Sequence, residues 1–491
     1  MVTAKRDENI VKDRDLLPQR YRVLIKPVAS ESDEMQPDRK QAKIVGNTTE
    51  IKVYPRRWLQ LVLFVVFSTV NTMHWYQYTI VNNIVSRYYN VSSLAIDWTS
   101  IIFMVTYIVV IIPASYVTNR IGLRWTVLVG ATLTCIGAWL KVLSASPDRF
   151  VVTFIGQFLV AVAQVFSLPV PGRLAAYWFG PKQIALASAF ACSGTHIGYS
   201  ICFPIMPLLV RNHDKIEDIG KDLAKVFWGS ALCCSVVAIA IILLFKDEPL
   251  LPPSDARALQ KLHKERSPEG YWPPVKRILR NRDFILLWNS YGIIMSVLGS
   301  TNTVLNSLCL VHFKNSEQLA GNLGLAIVGT GGLGTVFLAI IVDKTKAFKI
   351  IPMAIGSLAL ISEILFAISF LLEVQWMVVV TGMILGIFLV GWASLGFELC
   401  AEATYPEPES TTVGILNISI QVYGTLMVPI VRMLIETYGD KSAHYCLSAA
   451  LLIGTILISS TRGNFRRQKA EQIAKYNPVA LQEFAKPEYR Q

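Results

Sequence analysis

The chain has 491 residues, of which 53% are hydrophobic and 16% are charged, and its formal net charge is +12. A soluble domain of average composition has nearer a quarter of charged residues. Most of the sequence after residue 57 consists of apolar blocks of about 20 residues, each long enough to cross a ~30 Å hydrocarbon core. This pattern excludes a soluble enzyme, a collagen-like chain and a wholly disordered chain. It also assigns the positive charge to loops beside a lipid bilayer rather than to a nucleic-acid partner.

The apolar blocks predict an all-α integral membrane protein with twelve transmembrane helices in two six-helix halves. The N-terminal half covers residues 58–245 and the C-terminal half covers residues 283–461. The predicted spans are 58–81, 97–118, 125–144, 150–172, 183–209 and 226–245, followed by 283–312, 318–342, 350–372, 375–398, 411–436 and 442–461.

Three polar segments flank and separate the two halves: a tail over 1–57, a linker over 246–282 and a tail over 462–491. If the N-terminus is cytosolic, the inner segments contain 36 Lys and Arg residues and the outer segments contain 8. Because cytoplasmic loops are enriched in Lys and Arg, both termini and the linker are predicted to be cytosolic. The N-terminal tail has no apolar block, so we expect it to be largely disordered.

One acceptor sequence for N-linked glycosylation lies on the predicted outer side. Asn90, followed by Val and Ser, falls in the first outer loop and is a candidate glycosylation site. The sequons at Asn47 and Asn417 fall in the cytosolic tail and inside a span, so we expect neither to be modified.

Ionisable residues are rare inside the spans, and such residues are costly at bilayer depth. Away from the span ends, only Lys141, Glu363 and Arg432 lie within them. Lys141 and Arg432 are near outer ends, where we expect their long side chains to reach the interface. Glu363 lies midway along span 9, and two interpretations stay open: pairing with a neighbouring helix, or a role in transport.

The interior of the predicted bundle is instead supplied with aromatic and amide residues. Away from their ends, spans 1, 4, 5, 7, 8 and 10 contain no Asp, Glu, Lys or Arg, which favours a passive carrier of a neutral or cationic solute. Trp75 and Tyr291 with Gln164 and Gln421 would form an aromatic box that suits a quaternary ammonium ion. Each ring would contribute ~0.5–2 kcal/mol. Alternatively, the two aromatic residues belong to ordinary interfacial belts.

The layout of six plus six helices around a long cytosolic linker resembles the major facilitator superfamily. The loop from Asn119 to Arg124 resembles the inner-loop motif of that superfamily, although Asn replaces the usual Asp. Such transporters bind substrate near the bilayer midplane, between two halves that rock around it.

Several short motifs also resemble one family within this superfamily, the feline leukaemia virus subgroup C receptor family. They are Tyr54-Pro-Arg-Arg-Trp58, Trp75-Tyr-Gln-Tyr78, Asn82-Asn-Ile84, Ala95-Ile-Asp-Trp98, Glu402-Ala-Thr-Tyr-Pro406 and Gly414-Ile-Leu-Asn417. The resemblance implies a monomeric plasma-membrane carrier of choline and ethanolamine, or an exporter of haem.

The resemblance also implies a substrate pocket made of Trp75, Gln164, Tyr291 and Gln421, with Asn71 as a further member. The family usually has Gln before the span 1 Trp, and this chain has His74 instead. If that side chain helps to hold a primary amine, ethanolamine handling is altered, and a protonated His74 would repel a cation. The other interpretation is a neutral histidine that packs between helices.

Two substrates therefore remain open, and a choline and ethanolamine facilitator is favoured over a haem exporter. Haem would need an axial ligand and basic partners for its carboxylates. His74, His196 and Arg173 are the candidates, but no paired-ligand spacing points to them. No nucleophile–base pair, phosphate loop or metal constellation is evident, so we predict neither enzymatic activity nor a cofactor.

Overall fold

The computed structural model describes residues 53–180, 183–249, 251, 253, 272–313, 316–345, 347–405, 407 and 409–461. Over these residues the chain is helical and contains no β-strand. Most of the N-terminal tail, the central part of the linker and the C-terminal tail lie outside them. The predicted disorder of the N-terminal tail therefore also falls outside the described residues.

Twelve apolar segments follow one another in two sets of six over the described ranges, which confirms the predicted fold class. Ten helices are long and apolar enough to cross a bilayer. The other two segments are span 1, which is broken, and span 5, a 26-residue helix that contains no charged residue.

The spans of the N-terminal half are numbered in chain order. Span 1 is Arg57–Met73 continued by a 3-10 turn at Thr79–Val81 and by Asn82–Tyr89, span 2 is Ser93–Ala114, span 3 is Arg120–Leu143, span 4 is Phe150–Ser167 continued by Val170–Trp178, span 5 is Ile184–Leu209 and span 6 is Ile216–Leu244.

A short basic helix, Trp272–Arg280, precedes the C-terminal half. Span 7 is Arg282–His312, span 8 is Glu317–Thr345, span 9 is Ile350–Leu371, span 10 is Gln375–Thr404, span 11 is Glu409–Tyr438 and span 12 is Asp440–Ser459.

Local sequence signals account for several helix ends. The side chain of Ser92 accepts a hydrogen bond from the backbone N–H of Ala95 at the start of span 2, and Asn281 caps span 7 in the same manner. Gly122, near the start of span 3, has a φ of +85°, and this non-helical residue divides the continuous helical segment Ser93–Leu143 between spans 2 and 3. A side chain on Gly122 would meet the carboxylate of Asp247, which also accepts from the backbone N–H of Arg124.

Span 1 differs from the prediction of one continuous helix over 58–81. Its helix ends at Met73, residues 74–78 are non-helical, and a second helix continues to Tyr89. Backbone groups released by such a break must find partners because a bilayer contains no water to satisfy them. Gln157 of span 4 provides one, since its Nε2 donates to the carbonyl oxygen of His74 at 2.6 Å.

Glycines bring pairs of spans into close contact. A Cβ atom on Gly198 of span 5 would lie 2.6 Å from the backbone oxygen of Thr69 in span 1. A Cβ atom on Gly386 of span 10 would lie 2.1 Å from the backbone oxygen of Ile327 in span 8. Both glycines belong to a Gly-xxx-Gly spacing, which allows helix backbones to approach closely in membranes.

We expect Gly198→Ala to destabilise the protein by about 1–3 kcal/mol, because the new methyl group would push spans 1 and 5 apart. Size-exclusion chromatography of the detergent-solubilised protein after heating would measure this as a lower melting temperature. Gly229→Ala is the matched control, since nothing lies within 4 Å of a Cβ atom at that position. Equal melting temperatures for the two variants would contradict the expectation.

Candidate substrate-binding site

Trp75 lies in the non-helical segment of span 1, within a cluster of aromatic rings. Its indole N–H donates to the hydroxyl of Ser100 in span 2 at 2.8 Å. Its ring stacks on Phe103 with a centroid distance of 5.0 Å, and Tyr199 of span 5 contacts it edge-on at 6.1 Å. Only 8% of Trp75 is exposed, so the ring is fixed by spans 2 and 5 rather than placed in an interfacial belt.

The side chain of His74 contacts spans 3 and 6, whereas that of its neighbour Trp75 contacts spans 2 and 5. Nδ1 of His74 lies 2.9 Å from Oε1 of Gln77 and 3.0 Å from Nζ of Lys141. Its Nε2 lies 3.5 Å from the sulfur of Cys234 in span 6. Both ring nitrogens therefore have partners within the N-terminal half.

The side chain of Lys141 is fully buried. The expectation that it reaches the interface was therefore wrong. The ammonium group also donates to Oε1 of Gln77 at 3.2 Å and lies 5.3 Å from the ring centre of Tyr78. If His74 were protonated as well, two positive charges 3.0 Å apart would repel each other by about 5 kcal/mol at an effective dielectric constant of about 20.

The amide residues of the N-terminal half are also buried. Asn71 lies one helical turn before Trp75, and its Nδ2 donates to Thr134 at 2.9 Å and to the backbone oxygen of Val160 at 3.3 Å. The Oδ1 atom of Asn71 is buried without a hydrogen-bond partner. Gln164 of span 4 is 4% exposed.

Tyr291 and Gln421 are the corresponding residues of the C-terminal half. Tyr291 of span 7 is fully buried, and its hydroxyl donates to the backbone oxygen of Ala393 at 3.4 Å. Its ring is accommodated because span 10 has a glycine opposite it: a Cβ atom on Gly396 would lie 2.1 Å from the ring. Gln421 of span 11 is 7% exposed, and its Oε1 is buried without a hydrogen-bond partner.

Contacts between the halves bring the elements that contain these residues together, although the rings of Trp75 and Tyr291 do not stack on each other. The side chains of Tyr76 in span 1 and Asn302 in span 7 lie close to each other. Met104, which follows the Phe103 that stacks on Trp75, lies against Gly424 of span 11 and near Gly299 of span 7. Since Gly424 is one helical turn from Gln421, span 2 connects the Trp75 cluster with both spans that supply Tyr291 and Gln421.

At the predicted outer end, buried polar groups link the two halves, and we call these the outer-end contacts. Asn83 donates to Oε1 of Glu317 at 2.8 Å, and Asn306 donates to Oδ1 of Asn83 at 2.8 Å. The guanidinium of Arg432 donates to the carboxylate of Asp97 at 2.8 Å, and both side chains are almost fully buried. Arg432 is therefore an interior ion-pair partner, which corrects the expectation that it reaches the interface.

Glu363 pairs with a neighbouring helix, which was one of the two interpretations of this residue. Its Oε1 lies 2.9 Å from Nδ1 of His444 in span 12, and both side chains are buried. Both members of the pair belong to the C-terminal half.

Sequence reasoning did not find Ser100, Phe103, Tyr199 or Met104 as parts of the site. Three of them are apolar or aromatic residues inside spans, where ordinary packing is the usual explanation. The three aromatic residues Trp75, Tyr76 and Tyr78 were the one sequence signal for an aromatic cluster. This signal does not indicate which residues of spans 2 and 5 contact them.

The candidate residues comprise buried aromatic rings and two buried amide oxygens, on Asn71 and Gln421, that lack hydrogen-bond partners. Neither Trp75, Tyr291, Gln164 nor Gln421 is hydrogen-bonded to a carboxylate among the described residues. Such rings can attract a cation through their negative faces without neutralising its charge.

Comparison with known proteins identifies the superfamily and the family. The Major Facilitator Superfamily model matches residues 61–462. The choline/ethanolamine transporter flvcr2b of Danio rerio is 37% identical over 429 residues, covering 87% of this chain and 88% of that protein. The human choline/ethanolamine transporter FLVCR2 is 34% identical over 434 residues, covering 88% of this chain and 82% of that protein. The choline/ethanolamine transporter FLVCR1 of Felis catus is 36% identical over 413 residues, covering 84% and 74%.

Solved structures agree on the fold. A bacterial homologue of the human lysosomal transporter Spinster, in an inward-facing and unoccupied conformation, aligns with a TM-score of 0.69 at 15% identity, covering 85% of this chain and 99% of that chain. A D-xylose–proton symporter aligns with a TM-score of 0.58 at 12% identity, covering 82% and 97%. The chain is a transporter of the Major Facilitator Superfamily and belongs, within it, to the feline leukaemia virus subgroup C receptor-related family.

Proposed function

We propose that this transporter is a facilitative carrier of choline, and of ethanolamine, in the plasma membrane. The observation that carries the proposal is that the rings of Trp75 and Tyr291 are buried and that Oδ1 of Asn71 and Oε1 of Gln421 are each buried without a hydrogen-bond partner. Choline presents a trimethylammonium group to the rings and one hydroxyl group to an acceptor. The names of the choline/ethanolamine transporters quoted above support the same substrates.

Each of the six candidate residues has a role in this proposal. Trp75 and Tyr291 bind the ammonium group through their ring faces, while Gln164 and Gln421 orient the hydroxyl group and close the pathway. Asn71 extends the acceptor surface, and His74 adjusts the response to primary amines. We also propose that the protein functions as a monomer and that both of its termini lie in the cytosol.

The membrane potential is the proposed driving force. Each positive charge that moves inward gains ~2.3 kcal/mol per 100 mV, so a potential of ~60 mV provides roughly 1.4 kcal/mol, or about tenfold accumulation. A uniporter that works in this way requires no coupled ion and no carboxylate in its pocket.

Alternating access then requires that the outer-end contacts break. Asp97 and Arg432 are on different halves, and so are Asn83 and Glu317. When these pairs are formed, the halves are joined at the predicted outer end, and opening toward the outside separates them.

Haem export, the other substrate considered from the sequence, has no observation in its favour. Both ring nitrogens of His74 already have protein partners. The relatives quoted above are named for choline and ethanolamine.

We expect Trp75→Ala and Tyr291→Ala each to raise the KM for choline by about tenfold, since a desolvated ring contributes up to ~2 kcal/mol to cation binding. Uptake of radiolabelled choline by cells with equal surface amounts of each variant is the measurement. Trp376→Ala and Tyr445→Ala are the matched controls, because those rings are 68% and 74% exposed. Normal uptake in the first two variants would exclude the proposed pocket.

Depolarisation of the same cells tests the driving force. We expect choline uptake by the unmodified protein to fall as external potassium rises, with no effect of replacing external sodium. Uptake that does not respond to depolarisation would contradict a uniporter.

We expect Arg432→Met to weaken the outer-end contacts, because it leaves the carboxylate of Asp97 buried without its counter-charge, at a cost of about 3–5 kcal/mol. A cysteine introduced at Thr303, a buried residue one turn inward from Asn306, reports the opening. Its labelling by a membrane-impermeant thiol reagent added outside is expected to accelerate at least tenfold. Arg149→Met, which changes an exposed arginine of the N-terminal half, is the control.

Asn90 is exposed at the end of span 1, where we expect it to be glycosylated. Peptide N-glycosidase F is expected to increase the gel mobility of the protein from mammalian cells. Asn90→Gln should abolish this shift and Asn417→Gln should retain it. A shift that survives Asn90→Gln would refute the predicted orientation of this loop.

A further inference from the structure

Lys141 is a buried cation whose described partners are all neutral or aromatic. It faces His74, Gln77 and Tyr78 of span 1, and Cys234 of span 6 approaches His74 from the other side. Cys202 of span 5 is the further titratable group within electrostatic range. No carboxylate is bonded to Lys141 among the described residues.

The other buried charges of the bundle are arranged differently. Arg432 has the carboxylate of Asp97, and Glu363 has the imidazole of His444. Lys141 therefore differs from Arg432, which has a carboxylate in direct contact. Such a charge is costly in the interior of a membrane protein.

His74 and Lys141 lie so close together that the pair can hold only one proton beyond the neutral forms of both side chains. When Lys141 is an ammonium group, its charge lies 3.0 Å from Nδ1 of His74 and disfavours a protonated imidazole. A second proton would place two cations within 3.0 Å of each other. The net charge of the pair is thus either zero or one.

This pair is adjacent to the proposed cation pocket. His74 and Trp75 are consecutive residues of the non-helical segment, and their side chains contact different spans. A substrate cation on the face of Trp75 would therefore lie close to the charge of the pair without contacting it. Two charges about 10 Å apart, at an effective dielectric constant of about 20, alter each other's binding by roughly tenfold.

We propose that the His74–Lys141 pair is a proton-binding site that competes with the cationic substrate: a proton on the pair weakens binding of the cation, and the bound cation weakens binding of the proton. The inference rests on the proposed function. When the cation enters, the N–H bond of the ammonium group breaks, its electron pair stays on Nζ, and the proton passes to water on the side from which the cation comes. The protonated empty carrier does not change sides, so no proton is coupled to transport. Acid reverses the step and expels the cation.

The test is choline uptake by proteoliposomes that contain the purified full-length protein, with the same pH on both sides, between pH 6 and pH 8.5. The unmodified protein is expected to show a KM that rises by about tenfold as the pH falls, with little change in maximal rate. Lys141→Met removes the proton site, so its KM is expected to be low at every pH. Lys141→Arg keeps a permanent positive charge, so its KM is expected to be high at every pH.

His74→Gln is the variant that least disturbs packing, since the family usually has Gln at this position. An amide oxygen is a weaker base than an imidazole nitrogen, so acid inhibition is expected to begin at lower pH. Lys221→Met, which changes a lysine whose side chain is 70% exposed, is the matched control and should retain the unmodified profile.

Three results would overturn the inference. They are a KM that does not change with pH in the unmodified protein, the same pH profile in His74→Gln, and the same pH dependence in both Lys141 variants as in the unmodified protein. In each case choline uptake continues, so the proposed function stands. Absence of choline uptake at every pH would instead refute the proposed function, and this inference with it.

Discussion

The structure depends on how the backbone of span 1 is satisfied where its helix stops. Residues 74–78 are non-helical at membrane depth, which is tolerated only where neighbouring protein supplies hydrogen-bond partners. Gln157 donates to the carbonyl of His74, and Lys141 contacts the side chain of His74 and donates to that of Gln77. These contacts turn an interruption of the helix into a fixed platform for Trp75. Since the next helix begins at Asn82, the same interruption also positions Asn83 for its contact with the second half.

The two halves contribute unequally to the site. The N-terminal half provides a packed set of rings around Trp75, together with a buried basic pair, whereas the C-terminal half provides Tyr291 and Gln421 from two long helices. Joining them are polar pairs at the predicted outer end and apolar packing through Met104 deeper in the bundle. Polar pairs of this type can exchange protein partners for water when the halves separate, which suits an interface that must open and close.

The fold was predictable because it depends on local properties of the sequence. Length and apolarity of each block determine a span, and Lys and Arg counts indicate an orientation, so the twelve spans needed no knowledge of tertiary contacts. The break in span 1 was not predictable, since residues 74–78 contain neither Gly nor Pro. The groups that stabilise it are Gln157 and Lys141, which are 83 and 67 residues away from the residues that they contact.

For the site, the residue types were visible in the sequence and their surroundings were not. A tryptophan and a tyrosine inside charge-poor spans suggested a cation pocket, and the resemblance selected Trp75 and Tyr291. Burial of Lys141 and Arg432 was missed because a long basic side chain near the end of a span usually reaches the interface. In this chain, partners on other spans, His74 and Asp97, hold both side chains inside.

Gly396 has a consequence for substrate choice. The ring of Tyr291 occupies the volume that any side chain at position 396 would fill, so this glycine determines how far the ring can retreat toward span 10. In the proposed pocket, the width left for a cation's methyl groups would therefore depend partly on Gly396, which has no side chain to contact the cation. Close relatives that differ at this position would be expected to diverge in the bulk of the head group they accept, even with every pocket side chain unchanged.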